Sequence, residues 1–211
     1  MVRADGATLM ATGLLLAGGR STRFAEGDKA VAPLDGIPLI AHVAEGLPAE
    51  VDELLVSCRP EQTDRIREAL STVDCEYRFI VDTDAVGPLG GIRDGLRAAA
   101  TAWTYVVGCD FPLVDPVVFE PLAGHDGSEA VVFEQSDDTT QPLCGRYRTA
   151  AAADAAATLL PDCRRAAALL SALETKRLSA ADAPFDVRRL QNVNTVAERD
   201  ALTVREPTTL L

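Results

Sequence analysis

Four short apolar runs bounded by turn residues mark the first half of the chain: Thr12–Ala17, Glu53–Ser57, Tyr77–Val81 and Thr104–Gly108. Each has the length of a buried strand. Between them the pattern shifts to helix-like segments at Leu39–Leu47, Glu61–Leu70 and Leu89–Ala100. Strands that are apolar on both faces and alternate with helices predict a mostly parallel sheet, because right-handed crossovers lay the helices on its faces. The second half departs from that rhythm. Ala130–Glu134 and Leu143–Arg148 read as strands separated by the polar stretch Gln135–Gln141, and an alanine-rich helix follows from Thr149 to Leu160. Arg164–Leu173 reads as another helix. Thr195 and Glu198 have capping-box spacing, so a last helix is predicted to start there and run to about Thr203. The expected fold class is α/β: a single-domain, Rossmann-like three-layer α/β/α sandwich, mostly parallel, with a mixed C-terminal part.

Composition narrows the classes of function. At 211 residues and 47% hydrophobic, the chain is long enough for one full core and short for two. No apolar run approaches the roughly 20 residues of a membrane-spanning helix, and Met1–Gly13 lacks the basic-then-apolar order of a secretory signal, so a cytoplasmic protein without a membrane partner is expected. A formal charge of −12 argues against a nucleic-acid footprint, which needs a clustered basic surface. The 19 Asp, 13 Glu and 18 Arg stand against only two lysines, Lys29 and Lys176. That balance resembles proteins of salt-loaded cytoplasm, where a Debye length of about 3 Å or less makes an acidic surface cheap, and it points to a halophilic archaeal source. An ordinary acidic protein is the competing reading. The five cysteines are odd in number, widely spaced and free of any Cys-x-x-Cys pair, and they read as small buried apolar residues. With only His42 and His125 present, a multi-histidine metal site is excluded and a Ser-His-Asp triad has little to draw on. Chemistry is expected to rest on carboxylates, backbone amides and cations.

Three stretches carry that chemistry. Leu14–Ala17 leads a strand into Gly18-Gly19, followed by Arg20, Arg23 and Lys29. Glycines let backbone amides approach an anion, and the strand's carboxyl end is where open α/β sheets bind ligands. A tight turn explains Gly18-Gly19 alone equally well, and the spacing matches neither the Walker phosphate loop nor Gly-x-Gly-x-x-Gly. Yet one of the chain's two lysines falls inside this loop. A second strand-turn-helix junction runs through Asp82, Gly87, Pro88 and Leu89. In the third, a strand ends at Cys109-Asp110-Phe111-Pro112 and puts a carboxylate at the sheet edge. Phosphate-bridging Mg²⁺ takes one or two protein carboxylates, which makes Asp110 the first candidate ligand; an Asp capping a turn before Pro112 accounts for this stretch as readily.

Leu16-Ala17-Gly18-Gly19-Arg20-Ser21-x-Arg23-Phe24, then Asp28-Lys29-Ala30 and Gly36-x-Pro38-Leu39, resembles the amino-terminal motif of nucleotidyltransferases that activate a substrate phosphate with an NTP. Within that superfamily the chain is most similar to the molybdenum cofactor guanylyltransferases. Gly87-Pro88-Leu89-x-Gly91 with Asp82 ahead of it, Cys109-Asp110-x-Pro112, Gln141-Pro142-Leu143 and Asn192-x-Asn194-Thr195 continue the resemblance in order over roughly Leu14 to Thr203. The resemblance implies a sheet of the nucleotide-diphospho-sugar transferase type, with an N-terminal extension over 1–12, a nucleotide-binding half over 13–112 and an acceptor-side half over 113–205. It implies GTP and molybdopterin as substrates, Mg²⁺ as cofactor and contacts with proteins that make or receive the molybdenum cofactor.

By the same resemblance Lys29, Asp110 and Arg23 are the catalytic candidates, and Asp110 is the metal ligand. Leu16, Ala17, Gly18, Gly19, Lys29, Ser57, Asp82, Gly87, Pro88, Leu89 and Asp110 are the nucleotide-binding candidates. Gln141, Asn192 and Asn194 are candidates for the acceptor pocket, while helix capping is an equally good account of Asn194-Thr195. Two departures stand out. Ser57 replaces an Asn that contacts nucleotide in relatives, and Ala25 stands where they carry Gly, so Gly27 is expected to take over any positive φ. Alternatives in the same fold are CTP transfer to molybdopterin or guanylyl transfer to a corrinoid or small phosphate. Ala17-Gly18-Gly19 favours guanine, since cytidylyl relatives tend to have Ala-Ala-Gly. A non-catalytic GTP-binding protein is the alternative from another class.

Overall fold

A computed structural model describes residues 11–19, 24, 27–82, 87–135 and 139–202. The chain enters through β1 (Ala11–Leu16), passes a 3₁₀ turn at Lys29–Val31 and a small hairpin of β2 (Pro33–Leu34) and β3 (Ile37–Pro38), and reaches α1 (Leu39–Glu45). Next come β4 (Val51–Cys58), a 3₁₀ turn at Pro60–Gln62, α2 (Thr63–Ala69), β5 (Tyr77–Val81), α3 (Pro88–Ala98) and β6 (Trp103–Gly108). The remainder holds α4 (Pro116–Phe119), β7 (Ala130–Glu134), β8 (Thr140–Arg148), α5 (Thr149–Leu159), α6 (Ala167–Ala172), β9 (Thr175–Ser179) and α7 (Val196–Ala201).

Seven strands form one sheet in the order β5-β4-β1-β6-β8-β7-β9. The pairs β4–β5, β1–β4, β1–β6 and β7–β9 are parallel, while β8 runs antiparallel to both β6 and β7. The sheet is therefore mostly parallel with a mixed C-terminal part, as expected. Alternate side chains of each central strand enter separate cores. Leu15, Val56, Val107 and Val131 pack with α1, α2 and α4 on one face. Leu14, Leu55, Val106 and Val132 pack with α3, α5 and α6 on the other. This two-sided burial is the physical cause of the continuous apolar runs.

The alanines of α5 are explained by the same packing. Ala152 and Ala156 are fully buried, and their small side chains let α5 lie closely beside α3. α7 starts where its capping box predicts: Glu198 N donates to Thr195 Oγ1 at 3.1 Å and Thr195 N donates to Glu198 Oε2 at 3.0 Å. It ends at Ala201; Thr203 lies outside the described residues.

The structure departs from the sequence pattern at one helix start and adds two elements. α6 begins at Ala167 rather than Arg164, and Arg164 instead accepts a bond from Leu89 N through its carbonyl at 3.3 Å. β9 is a strand that the pattern does not announce, because Leu178 is its one apolar residue and its place comes from backbone pairing with β7. α4 was likewise not foreseen; its Val118 and Phe119 are fully buried. Among the described residues no helix is long and apolar enough to cross a membrane.

Candidate active site

The strand order sets the site. From β1 the chain moves outward to β4 and β5, then returns to the other side of β1 as β6, so the crossovers diverge above β1 and open a crevice at the strands' carboxyl ends. Residues that follow those ends converge there: Ala17, Gly18 and Gly19 after β1, Arg59 after β4, Asp82 after β5, and Cys109 and Asp110 after β6. With Leu16, Ser57, Lys29, Gly87, Pro88 and Asn194 they line one cavity of about 470 Å³.

The electrostatic centre of this cavity is an ion pair. Lys29 Nζ lies 3.0 Å from Asp110 Oδ2, with the two side chains only 14% and 17% exposed. Lys29 Nζ also reaches Asn194 Oδ1 at 3.5 Å. Asp28 sets the lysine's approach, since its Oδ1 accepts from Ala30 N at 3.2 Å and so caps the turn that carries Lys29. Gly27 precedes that turn at φ 101°, the positive value that the Ala25 departure led us to expect of it. Ala25 itself lies outside the described residues.

On the other side of the pair, Gly108 makes room for the carboxylate: a Cβ there would overlap Asp110 Oδ1. Val193 N donates to Asp110 O at 2.7 Å and brings the segment Asn192–Thr195 against the strand end. Thr195 caps α7, and Asn194 lines the cavity.

Not every candidate is in the lining. Leu89 is fully buried in the core beneath α3, and its amide is taken by the Arg164 carbonyl. An apolar side chain beside a glycine turn goes to the core when the helix it starts packs on a sheet. Gln141 on β8 and Asn192 are half-buried outside the cavity, and Leu143 and Asn194 occupy the corresponding lining positions. Arg23 lies outside the described residues. Arg59 was missed although it follows a predicted strand end, the signal that singled out Asp110. Neither histidine lines the cavity.

Among the described residues no group of three or more His, Cys, Asp or Glu forms a metal cage. Asp110 fits a sparser requirement. One carboxylate on the wall of a cavity suits Mg²⁺, which keeps several waters and takes further oxygens from substrate phosphates.

The cysteines divide. Cys58, Cys109 and Cys144 are buried, as read from the sequence, but Cys75 is exposed and Cys163 is partly so. Burial, with the Asp28 charge second, pushes the Cys58 thiol up to about 11. Burial with Asp110 second pushes Cys109 and Cys144 up to about 12. Cys109 therefore lines the cavity as a neutral thiol, without nucleophilic character. The Arg165 backbone amide holds Cys163 below its ordinary value.

A model of the MobA-like NTP transferase domain matches residues 13–191. The probable molybdenum cofactor guanylyltransferase of Natronomonas pharaonis is 36% identical over 149 residues, 71% of this chain and 73% of that protein. The molybdenum cofactor guanylyltransferase of Burkholderia ambifaria is 35% identical over 201 residues, 92% of this chain and 96% of that one. In fold, the chain is similar to molybdopterin-guanine dinucleotide biosynthesis protein A of Archaeoglobus fulgidus, with TM-score 0.68 and 24% identity over 90% of this chain and 95% of that one. A nucleotidyl transferase from Methanothermobacter thermautotroptrophicus gives TM-score 0.70 at 22% identity, over 90% and 94%. The fold is that of the nucleotidyltransferases. The chain belongs to their MobA-like NTP transferase family.

Two outcomes are expected of this geometry. Gly108→Ala drives the Asp110 carboxylate from Lys29 and lowers the unfolding free energy by about 1–3 kcal/mol in a urea titration; an unchanged midpoint would mean that the carboxylate moves aside freely. In a thiol-reagent titration of the native protein near pH 8, Cys75 and Cys163 react and the other three wait for denaturant. The depressed Cys163 thiol supplies more thiolate there; Cys75, although burial and then the Asp74 charge raise it, reacts through its exposure, and the three buried thiols supply almost none. Five fast thiols would contradict the burial described.

Proposed function

We propose that this chain transfers GMP from GTP to the terminal phosphate of molybdopterin, releasing pyrophosphate in a Mg²⁺-dependent reaction. The observation that carries the proposal is the Lys29–Asp110 pair, set between a glycine loop and a strand end in one cavity. The relatives named as molybdenum cofactor guanylyltransferases support it.

In this reading an oxygen of the molybdopterin phosphate attacks the α-phosphorus of GTP, the new P–O bond forms, and the bond to the bridging oxygen breaks with its electron pair leaving on pyrophosphate. The attacking phosphate is largely ionised at neutral pH, so no strong base is required. That suits a cavity lined by neither histidine. Gly18 and Gly19 let the backbone come close to the phosphates, and Lys29 gives them a compact positive charge. Arg23 belongs to the same loop by sequence. Asp110 would hold Mg²⁺, which when bound neutralises charge on phosphate oxygens. Ser57, Asp82, Gly87 and Pro88 line the side of the cavity that we assign to the nucleoside. Asn194 faces the reacting centre from the acceptor side, in the part of the chain over 113–205. Catalysis then comes from positioning two anions and screening their charge.

The proposal includes a cytoplasmic enzyme that meets the proteins making or receiving the cofactor. The acidic, lysine-poor composition and the similarity to the Natronomonas pharaonis protein support a halophilic origin.

The test is pyrophosphate release from GTP, CTP or ATP with Mg²⁺, with and without molybdopterin. Release confined to GTP plus molybdopterin is expected, and Asp110→Ala should reduce it on the order of 10²-fold or more while the protein stays folded. Release with CTP instead would change the product, and near-normal release by the Asp110 variant would remove that residue from the mechanism. In thermal melts the midpoint should rise with salt from dilute buffer to molar KCl; a maximum in dilute buffer would refute the halophilic assignment.

A further inference from the structure

Gln62 is 2% exposed, yet every hydrogen-bonding position of its amide is used. Its Oε1 accepts from Arg59 N at 2.9 Å and from Arg59 Nε at 3.2 Å. Its Nε2 donates to Ala17 O at 3.0 Å and to Asp28 Oδ2 at 2.7 Å. Ala17 opens the glycine loop, and Asp28 caps the turn that carries Lys29. One buried side chain thus ties both ends of that loop to Arg59.

Arg59 is held on one edge only. Nε is engaged by Gln62 and lies 3.2 Å from the carboxylate of Glu61, a side chain that is 67% exposed and so a weak, screened partner. The two terminal amino groups of Arg59 donate to no described residue, while the side chain lines the cavity and is 20% exposed. A guanidinium fixed through Nε and open along its outer edge presents a planar fork matched to two oxygens of a phosphate. Because Gln62 anchors it to both ends of the glycine loop, the fork and the loop serve the same anion.

We propose that Arg59 contacts the nucleotide's phosphates directly and that Gln62 is the positioning residue that aims it. This rests on the reading of the cavity as a nucleoside triphosphate site. Equilibrium binding of GTP, inorganic pyrophosphate and guanosine is measured on the full chain at fixed Mg²⁺ and salt. Arg59→Met weakens GTP and pyrophosphate by about tenfold or more, the scale of one charge-assisted hydrogen bond, and leaves guanosine unchanged. Arg59→Lys restores only part, because an ammonium lacks the fork. Gln62→Leu weakens pyrophosphate as Arg59→Met does, and combining the two adds little, the mark of residues that act through one contact. A Gln62 with a merely structural role would weaken pyrophosphate and guanosine binding alike and add to Arg59→Met.

Unchanged GTP and pyrophosphate affinity in Arg59→Met overturns the proposal, and this variant of a partly exposed side chain decides the matter even if Gln62→Leu fails to fold. Equal losses for guanosine and pyrophosphate overturn the assignment to phosphate. Wild-type protein that binds none of the three overturns the nucleotide reading of the cavity, and the role of Arg59 falls with it.

Discussion

Leu14 and Leu15 are adjacent in sequence, fully buried, and packed on opposite faces of the same strand. A strand that is apolar on both faces must be covered twice, and the crossover helices provide that cover. Right-handed crossovers then make β1, β4, β5 and β6 run parallel, so whatever follows each strand emerges on one edge of the sheet. The meeting of a glycine loop, Arg59, Asp82 and Asp110 is a consequence of that burial. The polar residues are assembled by the apolar ones that precede them.

Within the cavity, the same exclusion of water sets the electrostatics. Lys29 and Asp110 are each largely withdrawn from solvent, and each is the other's compensation. Removing Lys29 would leave the poorly hydrated Asp110 carboxylate without its cation. In the proposed reaction this pair is also where an anionic substrate and its counter-cation exchange partners, so neither charge has to be exposed before the other arrives. The buried thiols nearby stay neutral for the same reason that the ion pair is tight.

How much of this could be read from the chain depends on which force placed each element. The central strands were legible because two-sided burial leaves a continuous apolar run. β9 was not, since Thr175–Ser179 takes its place at the sheet edge through backbone pairing that polar residues make as well as apolar ones. The start of α6 was misplaced because Arg164 spends its carbonyl on Leu89, a contact between segments distant in sequence. In the site, Lys29 and Asp110 were legible from a lone lysine in a glycine loop and an acid after a strand. Leu89 looked equal to its neighbours in the motif, but hydrophobicity sends it to the core. Arg59 was hidden because its significance comes from Gln62, and no local pattern connects Gln62 to Ala17 and Asp28.

The bond from Val193 N to Asp110 O joins the last part of the described chain to the end of β6. During synthesis β1, β4, β5 and β6 leave the ribosome well before Val193 and Asn194. A nascent chain at that stage has its glycine loop and its aspartate but lacks both the amide that fixes the Asp110 carbonyl and the side-chain oxygen beside Lys29. The finished cavity therefore exists only once Val193 and Asn194 have been made, and the order of synthesis itself separates building the sheet from completing the site.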